Sequence, residues 1–305
     1  MKILVTGANG FVGLHLLALL EQQGIDVIAV VRGESSDVSR IVTLPHVRIV
    51  HCPMEQIEKL PSLVADRDID ACVHLAWSGA NGKARGDYHL QLDNISWAMD
   101  LCQALQEMQV KRFVGVGTLA ENDIAAYIDN DGATPNAVSC YGVAKTAAAH
   151  FTKIFCTQAG IDHLWCKLAN LYGPGDATNN FINFASKVML KGERAAFTEG
   201  KQMHDFVFID DIVRGILAVA KTGKANTTYY LGSGEARHLR EYIYAIRDAI
   251  DPAIELHLGE IPYHGVYLPE EAFDCQKLFD DTDYRPQVSF EAGLEKTLAW
   301  LKESM

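Results

Sequence analysis

The 305-residue chain is 49% hydrophobic and 22% charged, which supplies one large core or two modest ones and leaves no disordered tract. Its net charge of −12 excludes a general binder of nucleic acid or anionic membrane, since both need a basic surface; an anionic ligand here needs locally placed cations. Seven dispersed cysteines with no Cys-x-x-Cys pair fit reduced thiols in the cytoplasm better than a disulfide framework, and neither they nor the eleven histidines are spaced as a metal site.

An apolar stretch follows Lys2, but Thr6, Gly7, Asn9 and Gly10 interrupt it, so it is not predicted as a secretory leader, and no apolar run approaches membrane-spanning length. Residues 2–5 read as a buried strand, followed by Thr6-Gly7-Ala8-Asn9-Gly10-Phe11-Val12-Gly13 and a helical pattern over 14–23. Glycines there permit a tight turn and close approach of backbone amides to a phosphate, and a helix N-terminus favours a pyrophosphate. Strand, glycine turn and helix in this order point to a dinucleotide site.

The strand over 26–31 ends in Arg32, where an NAD site presents an acidic residue to the ribose hydroxyls. Arginine pairs instead with a 2′-phosphate, and Ser35 and Ser36 add hydrogen bonds, so NADP(H) is favoured with NAD(H) as the alternative. Strands over 47–51 and 70–75 flank a short helix over 55–65 that Pro61 interrupts. His74-Leu75-Ala76-Trp77 then leads into a glycine-bearing loop, a long helix over 88–109, and a strand over 111–117 with Thr118 at its carboxyl end, where ligands gather in open α/β sheets. The irregular stretch with Asp123, Asp129, Asn130, Asp131, Gly132 and Pro135 reads as a solvated loop without calcium spacing.

An alanine-rich helix follows, with Tyr141 and Lys145 at i and i+4 on one face. A phenol with a pKa of about 10 is a poor acid or base at neutral pH, and a nearby ammonium favours the phenolate, so Tyr141 could exchange a proton with a hydroxyl or carbonyl. Such pairs also arise by chance, and the weight rests on the surrounding motifs. After a sixth strand over 161–168 the alternation loosens: helices are predicted over 181–190, 210–221 (capped by Asp210), 238–250 and 290–302, with strands over 205–208, 227–231 and 254–258. The expectation is a doubly wound parallel sheet over 1–172 and a smaller mixed α/β carboxyl-terminal substrate lobe over 173–305, with chain segments crossing between them and a substrate cleft between the two.

TGANGFVG at 6–13, Thr118 after the fifth strand, YGVAK at 141–145, NLYGPGD at 170–176 and HDFVFIDD at 204–211 resemble the extended short-chain dehydrogenase/reductase superfamily, in the branch that acts on nucleotide-linked sugars. The resemblance spans essentially the whole chain. It implies a Rossmann-type domain, a nucleoside-diphosphate sugar as substrate, and a cofactor held by Gly7, Asn9, Gly10, Phe11, Val12, Gly13, Arg32, Leu75, Ala76, Tyr141 and Lys145. It further implies Tyr141 as acid/base, Lys145 as the ribose contact that lowers the tyrosine pKa, and Thr118 as the partner of the reacting oxygen, with Asn170, His204 and Arg237 on the substrate. Asp205 and Asp210 would hold the architecture of the second lobe, the latter as a helix cap. The family's two-fold four-helix interface implies a homodimer through the Tyr141 helix and the 88–109 helix; the small face over 144–149 permits close helix approach or packs within the monomer.

Departures from the family pattern narrow the activity. Thr118 is followed by Leu119-Ala120-Glu121, not by the Thr-Asp-Glu whose acidic pair assists elimination in dehydratases, and Glu121-Asn122 replaces the Tyr-Gly of 4-epimerases. Gly-Thr-Leu-Ala-Glu is closer to the Gly-Ser-x-Ala-Glu of deoxysugar 4-ketoreductases. His204 stands where the family places an arginine on the diphosphate, and as a weaker, pH-dependent cation it would need help from Arg237, Lys187 or Arg194. Together with Arg32 this favours a cytoplasmic NADPH-dependent reductase of a nucleotide-activated 4-keto deoxysugar. An epimerase with tightly held NAD(P) is the alternative; a dinucleotide sensor without turnover has no need of Thr118, Tyr141 and Lys145 together.

Overall fold

The computed structural model describes residues 1–124, 128, 131 and 135–305, so Asp129, Asn130 and Gly132 of the acidic loop lie outside the described residues. Two compact units are present, and each is described by itself. The first comprises Met1–Leu168, Val213–Leu231 and Gln276–Tyr284.

Strands apolar on both faces can only sit inside a sheet covered by helices on both sides. The run DVIAVV is such a strand, with every residue buried except Asp26. It is β2 (Asp26–Val31), next to β1 (Lys2–Thr6), β3 (Val47–His51), β4 (Ala71–His74), β5 (Arg112–Thr118) and β6 (Asp162–Leu168). Thr227–Leu231, which chain order assigns to the later lobe, pairs in parallel with β6 and becomes β7 of this sheet. The seven-stranded order β7-β6-β5-β4-β1-β2-β3 reverses direction at β1, which β2 and β4 flank. Reversal opens a crevice at the carboxyl ends of β1 and β4, where open α/β sheets bind ligands.

Three helices matter for that crevice: α1 (Phe11–Gln22), α2 (Tyr88–Glu107) and α3 (Ser139–Ala159). The inward faces of α2 and α3 meet over the sheet, Leu101, Cys102 and Leu105 joining Ala148, Ala149 and Cys156 above Phe113 and Trp165. Ala144, Ala148 and Ala149 are thus consumed inside the monomer, and the outward face of α3 carries Val143, Phe151 and Ile154 instead. The predicted 55–65 helix is two short turns, Met54–Lys59 with Gln56 off helical geometry and Leu60–Leu63, because proline is tolerated only in a first helical turn.

The second unit comprises Ala169–Ile212, Gly232–Cys275 and Arg285–Met305. Its strands pair two by two: Asn170–Tyr172 with Phe206–Phe208, Met203–His204 with Arg237–His238, and Ala195–Phe197 with Leu256–Leu258. Tyr242 packs edge-on against both Phe206 and Phe290, with ring centroids 4.8 and 4.7 Å away, and Tyr172 donates its hydroxyl to Phe290 O at 2.9 Å. Asp210, expected as a helix cap, lies inside the first turn of helix Ile209–Thr222, where a carboxylate still suits the N-terminal dipole. Holding the backbone falls to two buried carboxylates: Asp205 accepts Ser233 N at 3.0 Å, and Asp211 accepts Gln287 N and Val288 N at 2.8 and 2.9 Å. Among the described residues no helix is long and apolar enough to cross a membrane.

Candidate active site

At the strand reversal, the carboxyl ends of β1, β2 and β4 border a cavity of about 490 Å³ in the first unit. Gly7, Asn9, Gly10, Arg32, Leu75 and Ala76 line it, and Phe11, Val12 and Gly13 form the adjoining first turn of α1. Gly7 has φ +67°, and a Cβ there would stand 2.7 Å from Ala76 N; at Gly13 a Cβ would collide with Gly7 O. The cap of α1 is Gly10, without a side-chain capping bond, and its first turn has no acidic residue, so amides and dipole face outward unopposed. These features fit the pyrophosphate of a dinucleotide. Arg32 is exposed at the rim beside Ser35 and Ser36, and no carboxylate among the described residues pairs with it. The sequence reading missed Cys52, Met54 and Glu55 after β3 and Trp77 after β4, which also line the cavity; the strand-end rule applied to β3 would have marked the first three.

Thr118, Tyr141 and Lys145 are brought together in the same unit. The Tyr141 hydroxyl shares a hydrogen bond with the Thr118 side chain. Lys145 is buried, donates to Val116 O at 2.7 Å, and lies 3.8 Å from the centroid of the Trp77 ring. Burial pulls Lys145 down to about 7, partly offset by the charge of Glu121.

Desolvation raises Tyr141, against the pull of the Arg85 charge and the Thr118 hydrogen bond, while Glu121 adds to the rise. Lys145 Nζ is 6.0 Å from the Tyr141 centroid, whereas Arg85 Cζ stands over that ring at 4.5 Å. Arg85 comes from the turn Gly82–Gly86, where no periodicity signals a site. One buried side chain places it: Gln91 accepts Trp77 Nε1 at 2.9 Å and donates to Gly79 O and Ala84 O at 3.1 Å. Asp123, expected as a solvated loop residue, is desolvated enough to rise to about 6, with Arg85 opposing.

The remaining candidates meet in the second unit. Asn170 Nδ2 lies 3.4 Å from His204 Nδ1, and Arg237 pairs with His204 across two short antiparallel strands. His204 stacks on Phe206 at 5.5 Å, and burial brings it down to about 4, so it is a neutral hydrogen-bonding ring near pH 7 and not the cation its position suggested. Arg237 is held by Glu291 at 2.7 Å and Glu235 at 3.4 Å, while Arg194 is engaged with Glu260 at 2.5 Å.

Residues 3–232 match the model of the NAD dependent epimerase/dehydratase family. The chain belongs to that family. It is accordingly an enzyme of NAD(P)-dependent oxidoreductase type with the extended short-chain dehydrogenase/reductase architecture. Among family relatives, the CDP-abequose synthase of Salmonella typhimurium strain LT2 is 26% identical over 97% of this chain and 97% of its own. A dTDP-4-dehydro-6-deoxy-D-allose reductase from a Streptomyces species is 24% identical over 98% of this chain and 96% of its own. The fold matches that of Bordetella bronchiseptica WbmF, solved with NADH, with a TM-score of 0.80 at 22% identity over 99% of this chain and 92% of that one. It also matches the UDP-glucose 4-epimerase of Thermotoga maritima, with a TM-score of 0.79 at 22% identity over 100% of this chain and 99% of that one.

Proposed function

We propose that this protein reduces the 4-keto group of a nucleoside-diphosphate deoxysugar with NADPH. The observation that carries the reading is the meeting of Thr118, Tyr141 and Lys145 in the unit that also holds the strand-end cavity. The cofactor, when bound, supplies a hydride. As the carbonyl carbon takes it up, Tyr141 gives its phenolic proton to the carbonyl oxygen, which Thr118 holds by hydrogen bonding, and the product is the 4-hydroxy sugar. A tyrosine whose pKa is raised is protonated at neutral pH, the form a donor needs.

Arg32, which pairs with no carboxylate among the described residues, supports NADPH over NADH, since its guanidinium matches a 2′-phosphate. Full-length similarity to a dTDP-4-dehydro-6-deoxy-D-allose reductase supports the substrate class. Asn170 and His204 would meet polar groups of the substrate as neutral partners, with Arg237 and Lys187 as the candidate cations for the diphosphate. Seven free cysteines, six of them buried, suit the reducing cytoplasm. A homodimer belongs to the same proposal: Tyr88 and Leu92 on α2, and Val143, Phe151 and Ile154 on α3, expose apolar side chains on the two helices of the expected interface.

Loss of NADPH absorbance is the test, measured with a panel of nucleotide-linked 4-keto-6-deoxysugars and repeated with NADH. Stoichiometric consumption of NADPH with one of them, abolished in Tyr141→Phe, is expected. Interconversion of fully hydroxylated nucleotide sugars without net consumption would make the enzyme an epimerase instead.

A further inference from the structure

Glu121 closes the turn that follows Thr118, and its surroundings exceed what a turn requires. The pair caps the segment reciprocally: Glu121 Oε1 accepts Thr118 N at 2.8 Å, and Thr118 Oγ1 accepts Ala120 N at 3.3 Å. A capping glutamate normally faces water, yet the Glu121 side chain is only 3% exposed. Trp165 Nε1 reaches it from β6 at 3.1 Å, and Lys167 Nζ from the same strand lies 3.6 Å away. Space for this contact is made in β5. A Cβ at Gly117 would collide with both Glu121 Oε1 and Trp165 Nε1, and one at Gly115 would collide with the Trp165 ring.

The carboxylate also acts on the site: among the described residues it is the charge opposing the discharge of buried Lys145, and it bears on Tyr141. Buried charge is retained only where it is paired or hydrogen-bonded, and Glu121 is both. We propose that Glu121 is a positioning residue for the reaction: hydrogen-bonded to the Thr118 amide, it fixes the Thr118 hydroxyl through the turn and supplies a buried negative charge to the Tyr141–Lys145 couple.

Among the described residues, the titratable and charged groups around the Tyr141–Lys145 couple are His74 from β4, Arg85 from the turn after it, Glu121 and Asp123 after β5, and Lys167 from β6. The proposal rests on the reductase reading, in which Tyr141 must carry its proton and Lys145, as an ammonium, would hold the cofactor ribose, so activity falls along an alkaline limb. Glu121→Gln preserves shape and one acceptor oxygen but removes the charge, which lowers both groups and moves the limb down by about one pH unit. Lys167→Met removes the cation that screens Glu121 and moves the limb the opposite way. Activity of Glu121→Gln is expected to fall about tenfold at about pH 8 and to recover most of that loss at about pH 6. A loss of the same factor at every pH, or a limb that stays in place in both variants, would overturn the proposal in favour of a turn-forming role alone. Titration of the Lys145 side chain by NMR of carbon-13-labelled lysine, assigned with Lys145→Arg, follows the same shifts without turnover. If the wild type reduces no 4-keto sugar, the reductase reading fails and this titration alone decides the role of Glu121: lower in Glu121→Gln and higher in Lys167→Met upholds it, and no change removes it.

Discussion

Arg85 carries a charge on the face of Tyr141, and among the described residues its buried Nε has no hydrogen-bond partner. That charge favours the phenolate that forms as Tyr141 releases its proton. Arg85→Met is expected to lower kcat on the order of tenfold, equivalent to about 1.4 kcal/mol, and Arg85→Lys to recover only part of it because a compact ammonium cannot stack flat on the ring. Single-turnover rates at saturating substrate check this; an unchanged rate would mean that the stacking is only structural. At the cavity rim, Arg32→Asp is expected to raise the KM for NADPH about tenfold or more and leave that for NADH little changed, because the carboxylate repels a 2′-phosphate but accepts from ribose hydroxyls. Thr118, Tyr141 and Lys145 stood out in the sequence as candidates because a fixed spacing and a strand end mark them, and the structure brings them into one unit. Arg85 and Trp77 were not, since they come from an aperiodic loop whose course Gln91 dictates through contacts remote in sequence.

Helix α3 uses its two faces differently. Ala148 is 1% exposed against α2 and the sheet, so Ala148→Leu has no room and is expected to cost about 1–3 kcal/mol in urea unfolding. Ile154 on the outward face is 58% exposed, and Ile154→Glu is expected to shift the protein from dimer to monomer in light scattering without changing its circular dichroism. A monomeric wild type would remove that proposal. The sequence located the strands of the main sheet to within a residue or so, because a strand buried on both faces is a continuous apolar run between glycine-bearing turns. It failed over 55–65, where Pro61 and a non-helical Gln56 break the pattern into short turns. It also left the alanines of α3 undecided, since a small face says that something packs closely but not what.

Across the molecule, three buried or half-buried histidines tie stability to pH. Burial depresses His74 to about 3 and His163 and His204 to about 4; His74 Nδ1 is 2.8 Å from Thr6 Oγ1, and His163 Nε2 is 3.0 Å from Thr152 Oγ1. Below the ordinary histidine value of about 6.5 the unfolded chain binds protons that the native state refuses, so stability is lost as pH falls from there toward the folded values, at up to about 1.4 kcal/mol per pH unit for each group. Lys145 adds a second window: held near 7 when folded, it makes stability rise with pH up to about 10.5, the value of a free lysine. Urea unfolding at stepped pH is expected to show the acid slope, shallower in His163→Gln; equal slopes would show that His163 titrates normally in the native state.

The seventh strand of the first unit has a further consequence, for synthesis. When residue 168 leaves the ribosome, β6 is complete, but β7 at residues 227–231 has not yet been made. At about 5–20 residues per second the wait lasts roughly 3–13 s, during which the outer edge of β6 offers unpaired amides and carbonyls to any neighbouring strand. The nascent chain therefore passes through an interval of edge exposure that the finished protein never shows, and substitutions that weaken β7 would prolong it and surface as poor yield rather than as altered catalysis.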